Sequence, residues 1–329
     1  MSGLRAFVLG PGVLASLAWG GAALWIDGPA SRPLAGLLAG AFAAAGLTLL
    51  LRVRPAGRGL LAYGALFATV LLWWLSIAPR NDRDWLPDVA RLPSASIEGD
   101  RVTIRNVRNF DYRSADDYDE RWEERTYDLA DLRGADMFLS YWGSPWIAHT
   151  IVSWDFGGGD HLAISIETRK ERGEAYSPLL GFFRQFELYY VVADERDVVR
   201  LRTNQRGEDV YLYPLRMAPG RARAVLLDYL AEINELAEQP RWYNAATHNC
   251  TTTIRHHVQN VAPGNPWDWR ILVNGRIDQL GYERGNIDTS LPFEELRARS
   301  AISERAIASD RAADFSAQIR AGLPGLEPE

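Results

Sequence analysis

Cysteine is almost missing from this sequence: among 329 residues there is one, Cys250. A lone thiol closes no intramolecular disulfide, so a disulfide-stapled scaffold is excluded. Cys250 is left as a reactive thiol, a small buried side chain or an intermolecular link. Lysine is also nearly absent; arginine carries the positive charge, and the formal balance is −6. No block of cations suited to a phosphate backbone is present, which excludes nucleic acid as a partner. Arginine in place of lysine, with an Ala/Gly/Leu-rich first half, suggests a GC-rich bacterial genome. Charge is scarce over residues 6–78, and nearly all acids and bases lie in residues 79–329. The net charge therefore belongs to a second, water-facing part.

Three apolar runs occupy the uncharged part, about Phe7–Ile26, Pro33–Leu51 and Leu60–Ala78. Each approaches the roughly 20 residues needed to cross a hydrocarbon core, and a signal peptide would not be followed by two more such runs. The expectation is three transmembrane helices over residues 1–78. Arg52, Arg54 and Arg58 crowd the second connection, whereas Asp27–Arg32 balances one acid against one base. The positive-inside rule then puts the second connection and the N-terminus in the cytoplasm. With an odd number of spans the soluble domain faces the periplasm of a Gram-negative inner membrane. Trp25, Trp73 and Trp74 stand at span ends, where indole rings anchor at the interface.

Residues 79–98 are polar and contain proline, so they read as a linker. Alternation at Val102, Ile104 and Val107 signals a strand, and charge-rich Asp111–Arg125 reads as an exposed loop or short helix. From Asp136 the pattern predicts an antiparallel sheet: DMFLSYW, AHTIVSWDF, HLAISIETR, FELYYVVAD and VVRLRTN, bounded by Gly and Asp. Helical spacing returns at Pro219–Ala237, with Val225, Leu226, Tyr229, Leu230 and Ile233 on one stripe. A second helix is expected from about Asn249 to Pro263-Gly264. Residues 99–291 read as one catalytic domain of the α+β class, with the sheet packed on helices, and residues 292–329 as a helical tail.

Cys250 falls at the predicted start of that second helix, after Thr247, His248 and Asn249, any of which can cap it. Free N–H groups and the positive helix end stabilise a thiolate and can hold an oxyanion. Asn249, His248, Thr251 and Tyr243 are the candidates for that supporting role. Burial as a small core residue is the competing reading. A thiol nucleophile needs a base. His248, His256 and His257 lie too near in sequence to meet the sulfur in line, which leaves His149 and His161. His161 opens a strand after a Gly-rich turn and is the expected base; His149, in a strand interior, is the alternative. Glu195 and Glu167 are the candidates to orient the ring. No H-E-x-x-H is present, and His256-His257 point to different sides of a helix, so neither metal nor other cofactor is expected.

The run FGGGDHLAISIETRKERGE, then ELYYVVADERDVVRLRTN, YLYPL and WYNAATHNCTTT, in order over roughly residues 136–260, resembles the periplasmic domain of the Lnb-type lipoprotein N-acyltransferases. The resemblance implies a permuted papain-like fold of the NlpC/P60 kind, in which the His strand precedes the Cys helix. It further implies a thioester on Cys250 with His161 as base, a phospholipid acyl donor and transfer to the N-terminal amine of a lipoprotein. Two other readings use the same residues: a thiol hydrolase of amide bonds, as in peptidoglycan, and a non-enzymatic membrane scaffold with an inert Cys250.

Overall fold

The computed structural model describes residues 10–326 of the chain. Two compact units are present: Met1–Arg80 with Ala175–Glu187, and Asn81–Glu174 with Leu188–Glu329.

Among the described residues the first unit holds three α-helices, α1 (Pro11–Ile26), α2 (Arg32–Arg52) and α3 (Ala56–Leu75). Only α2 and α3, at 21 and 20 residues, are long and apolar enough to span a bilayer among the described residues. This corrects the expectation of three spans. Pro11, at the first helical turn after Gly10, starts α1 late and leaves it 16 residues, or about 24 Å at 1.5 Å per residue; Phe7–Leu9 of the expected first span lie outside the described residues. Small residues bring the helices close. A Cβ on Gly46 would meet Leu17 at 2.6 Å, and one on Gly20 would meet Phe42 at 2.6 Å, as expected where apolar helices associate by packing. The outer faces stay apolar, with Leu37, Leu61 and Leu72 exposed. The 175–187 insert belongs to this unit. Asp27 accepts hydrogen bonds from Trp74 Nε1 at 2.6 Å and Gln185 Nε2 at 2.7 Å, and the Arg184 guanidinium lies 4.3 Å from the Trp74 ring centre.

The second unit is built on an eight-stranded sheet. Its strands are β1 (Ser94–Glu98), β2 (Arg101–Arg108), β5 (Trp122–Asp128), β6 (Gly134–Tyr141), β7 (Ala148–Asp155), β8 (His161–Arg169), β9 (Glu187–Ala193) and β10 (Asp209–Pro214); β3 (Asp111–Tyr112) and β4 (Tyr118–Asp119) pair separately. The order across the sheet is β1-β2-β9-β8-β7-β6-β10, with β5 also on β2. Residues 111–125 are thus mostly strand rather than loop or helix. The charges of β5 line an exposed outer strand, where Arg105 meets Glu124 at 3.0 Å. VVRLRTN is likewise not a strand. Asp194 caps α4 (Glu195–Arg200) by accepting from Arg196 N, and a π-helical turn, Leu201–Gln205, follows.

Two longer helices come next in the chain, α5 (Pro219–Glu238) and α6 (Cys250–Val261). Even-numbered residues of β7 face α5: Trp154 donates to Ala222 O at 3.2 Å and packs edge-on against Tyr229. Odd-numbered residues face the other way, where Ile151 joins a core with Phe138, Val198, Val199, Ile302, Phe315 and Ile319. That alternation is the two-residue period of a strand buried on both faces. After α7 (Ile277–Glu283), the segment expected as a tail supplies α8 (Phe293–Ser300), α9 (Ser303–Ala308) and α10 (Phe315–Arg320). Its Ile302, Phe315 and Ile319 are fully buried in this core.

Candidate active site

α6 starts on the lone cysteine. Asn249 forms a reciprocal cap: its Oδ1 accepts from Thr252 N at 2.9 Å while Thr252 Oγ1 accepts from Asn249 N at 2.9 Å. A cap of this kind is worth about 1 kcal/mol, and it fixes where the first turn begins. The N–H groups of Cys250 and Thr251, at the first two helical positions, have no intrahelical acceptor.

The structure brings His149, and not His161, to Cys250. His149 is the second residue of β7 and is buried. Its Nε2 lies 2.6 Å from Ser165 Oγ and 3.6 Å from Glu167 Oε1, which leaves Nδ1 as the ring nitrogen for the thiol. The β7–β8 register runs from Asp155↔His161 to Ile151↔Ser165; carried two residues further, it sets His149 across from Glu167. His161 sits at the opposite end of the same pair, across from a residue six positions along β7 from His149, or roughly 20 Å at 3.3 Å per residue. There its Nδ1 pairs with Gly159 O at 3.1 Å and its Nε2 lies 3.8 Å from Asp155.

Glu195 is placed with His161's end of the sheet as well. It begins α4 rather than ending a strand, accepts from Ser153 Oγ at 2.6 Å and pairs with Arg320 at 2.7 Å. Burial pushes its carboxyl up, but the Arg320 charge outweighs that and brings it down to about 2. Glu167, by contrast, faces His149. Arg202 donates to it at 3.1 Å and Ser165 Oγ at 2.8 Å, and Arg202 continues to Glu208 at 3.1 Å. Cys250, His149, Glu167, Arg202 and Glu208 form one chain of contacts.

Electrostatics follow that chain. Burial raises the Cys250 thiol, but the hydrogen bond and charge of His149, the Thr150 N–H and the Thr251 hydroxyl together bring it down to about 7. For His149, burial and Arg202 act downward, and its bonds to Cys250 and Glu167 prevail, so the imidazole is raised above its ordinary value. Glu167 is opposed by burial yet held well below the usual carboxylate range by His149 and Arg202. A thiol near neutrality beside a basic imidazole is the form in which cysteine is nucleophilic.

Asn274 completes the site, and the sequence reading missed it. Its Nδ2 lies 3.6 Å from Cys250 Sγ and donates to Thr251 Oγ1 at 2.6 Å, while its Oδ1 accepts from Ala148 N at 2.9 Å. The next residue explains the close fit. Gly275 N donates to Trp146 O at 2.9 Å, and a Cβ on Gly275 would stand 2.3 Å from Pro145 O. The adjacent Asn-Gly dipeptide was the available signal, but nothing in its spacing tied it to Cys250.

The remaining supporting candidates are placed as follows. Thr251 touches Thr150 Oγ1 at 3.5 Å and the thiol at 3.7 Å; His248 is exposed with Nδ1 2.8 Å from Thr247 Oγ1; Tyr243 is buried in the turn leading to α6. Among the described residues, no three His, Cys, Asp or Glu side chains cluster as metal ligands.

Residues 118–275 match the family described as the Lnb N-terminal periplasmic domain. This segment belongs to the Lnb N-terminal periplasmic domain family. No curated protein and no solved structure matches it. The Lnb segment runs from β4 to Gly275, so it takes in His149, Glu167, Cys250 and Asn274 together. The family's periplasmic description and the two apolar helices agree with a membrane-anchored chain carrying a periplasmic domain.

Proposed function

We propose that this Lnb protein is a cysteine-dependent acyltransferase that moves a phospholipid acyl chain to the N-terminal amine of a lipoprotein. The observation that carries the reading is the Cys250–His149–Glu167 arrangement with a thiol brought down to about 7. The Cys250 thiolate attacks the donor ester carbonyl, the ester C–O bond breaks, and protonated His149 gives its proton to the leaving alcohol oxygen. The acceptor amine then attacks the thioester, loses a proton to His149, and expels the thiolate. Glu167 keeps the ring oriented and stabilises its charged form. The N–H groups of Cys250 and Thr251 and the amide of Asn274 are the donors suited to the oxyanion.

Placing His149 where His161 was expected keeps the strand-before-helix order of a permuted papain-like domain, which is the fold this reading assigns. Exposed Trp142, Trp146, Ile147, Trp267, Trp269 and Leu272 on the segments beside Asn274 favour an apolar donor over a peptide. Anchoring donor, acceptor and enzyme in one membrane face lowers the entropic barrier to their meeting. With the domain in the periplasm, both substrates come from the surface of the inner membrane.

The test is mass spectrometry of a model lipoprotein produced in a host lacking other N-acyltransferases. Wild-type chain yields the N-acylated form and Cys250→Ser does not; equal acylation with both, or none with wild type, overturns the reading.

A further inference from the structure

A second side of α6 is unused by the chemistry above. Thr252, Arg255, His256 and Gln259 recur at helical spacing along it and line a cavity of about 430 Å³ with Thr253, Arg241 and Trp267. This stripe lies across α6 from Cys250, while Thr247 and His248, just before the helix, also line the cavity.

Its charges are unevenly committed. Arg241 is ion-paired with Glu232, which also lines the cavity, and lies 3.6 Å from Glu235. Arg255 has no carboxylate within ion-pair distance among the described residues. It donates instead to Gln259 Oε1 at 2.6 Å and to Asn265 O at 3.1 Å, and its guanidinium lies 5.8 Å from the Trp267 ring centre. Its Nε is buried without a hydrogen-bond partner, and so is the hydroxyl of Thr253, a residue only 6% exposed. A half-buried guanidinium without a counter-charge, beside a buried hydroxyl without an acceptor, is short of one anion. Guanidinium groups suit phosphate because their N–H donors match two oxygens at once. Trp267 is exposed, as are Trp269 and Leu272, which follow it in the chain shortly before Asn274, the residue whose amide reaches the thiol. An anion-seeking pocket with exposed apolar side chains on the adjoining segment matches a molecule with a charged head and a hydrocarbon body.

We propose that this cavity binds the phosphate group of a phospholipid, with Arg255 as the anchoring cation and Trp267 against the glycerol. The proposal rests on the acyl-transfer reading for its choice of lipid over free phosphate.

The test uses the full chain carrying Cys250→Ser in maltoside micelles, so that binding is read without chemistry, by calorimetric titration. Dihexanoyl-phosphatidylglycerol is expected to bind, with affinity falling about tenfold on adding Arg255→Gln, the loss of a charge-assisted hydrogen bond. Thr253→Val, which removes no protein hydrogen bond, weakens binding severalfold at unchanged melting temperature and so guards against a folding artefact. Dihexanoylglycerol, lacking phosphate, binds equally well with and without the Arg255→Gln substitution. Equal phospholipid affinity with and without both substitutions overturns the proposal, as does diacylglycerol binding as tightly as phospholipid. Inorganic phosphate binding as tightly as the phospholipid overturns the lipid assignment. A chain that binds lipid in this way yet acylates no lipoprotein refutes the transfer reading alone.

Discussion

Asn274 Nδ2 lies 3.6 Å from Cys250 Sγ, within reach of a hydrogen bond to the sulfur. Cys250 and His149 come from α6 and β7, and the amide arrives from a turn after residue 270. Asn274 also holds Ala148 N and Thr251 Oγ1, so it ties the two elements together. Replacing it by Asp keeps the acceptor and removes the donor. Thioester formation on Cys250 is expected to slow about 100-fold, the usual cost of an oxyanion donor. Intact-mass kinetics measure this, and a rate within about twofold of wild type would remove Asn274 from the site.

The two histidine candidates separate cleanly. His149→Ala is expected to reduce thioester formation at least about 100-fold, the scale of general acid–base catalysis. His161→Ala, at the opposite end of the strand pair, leaves the rate within about twofold. The reverse order in the same mass assay would restore His161 as the base.

Thiol reactivity reports the coupling directly. Alkylation of Cys250 by iodoacetamide is expected to rise with a midpoint near pH 7 in wild type. In His149→Gln the lowering partner is gone while burial still raises the thiol, so the midpoint moves upward. The same sign applies to stability. A thiol lowered by folding contributes stability above its unfolded value, and that contribution is lost as pH falls through about 7. Coincident alkylation profiles for the two chains would show that His149 does not act on the thiol.

Glu195 is paired with Arg320 and Ser153 rather than with His149. Its carboxyl is lowered by folding from 4.5 to about 2, so its contribution is complete above about pH 4.5 and lost as pH falls toward 2. Asp136 shares Arg320 but is raised by burial, which works against the pair at neutral pH. Glu195→Gln is expected to destabilise the fold by about 3 kcal/mol, since it strips a buried cation of one partner, and to flatten the acid limb of melting temperature against pH. An unchanged acid limb would mean that the Arg320 cluster is not what acid disrupts.

Gly275→Ala probes the approach of two turns. The added Cβ meets backbone at Pro145 and Trp146, which cannot swing aside as a flexible side chain can. A loss of about 2 kcal/mol in chemical denaturation, on the scale of overpacking, should accompany loss of thioester formation. A variant of full stability and rate would show that the turns part without cost.

Elements written by local pattern were legible. Pro219–Ala237 shows its apolar stripe and forms α5 through Glu238, and the Asn249 cap announces α6. Less legible was anything fixed by tertiary context. Val198, Val199 and Leu201 look like strand residues, yet Asp194 caps a helix there and burial of the two valines against Phe315 and Ile319 decides the outcome. The histidine choice turned on which end of β7 meets α6, and a single strand carries no mark of that. Glu167 was visible as a candidate, but its contact with His149 depends on a β7–β8 register that alternation alone leaves free. Asn274 lies 24 residues beyond Cys250, and only folding makes them neighbours.

The insert 175–187 leaves the sheet after β8 and returns as β9, yet belongs with the N-terminal helices. The chain therefore passes from one unit to the other at Arg80–Asn81, again at Glu174–Ala175 and again at Glu187–Leu188, and no single cut frees the second unit. A protein begun at Asn81 would keep Gln185 but lose Asp27, its acceptor at 2.7 Å. Residues 10–80 are thus a folding partner for the 175–187 loop, and removing them to gain solubility would leave Arg184 N and Gln185 without their shared acceptor.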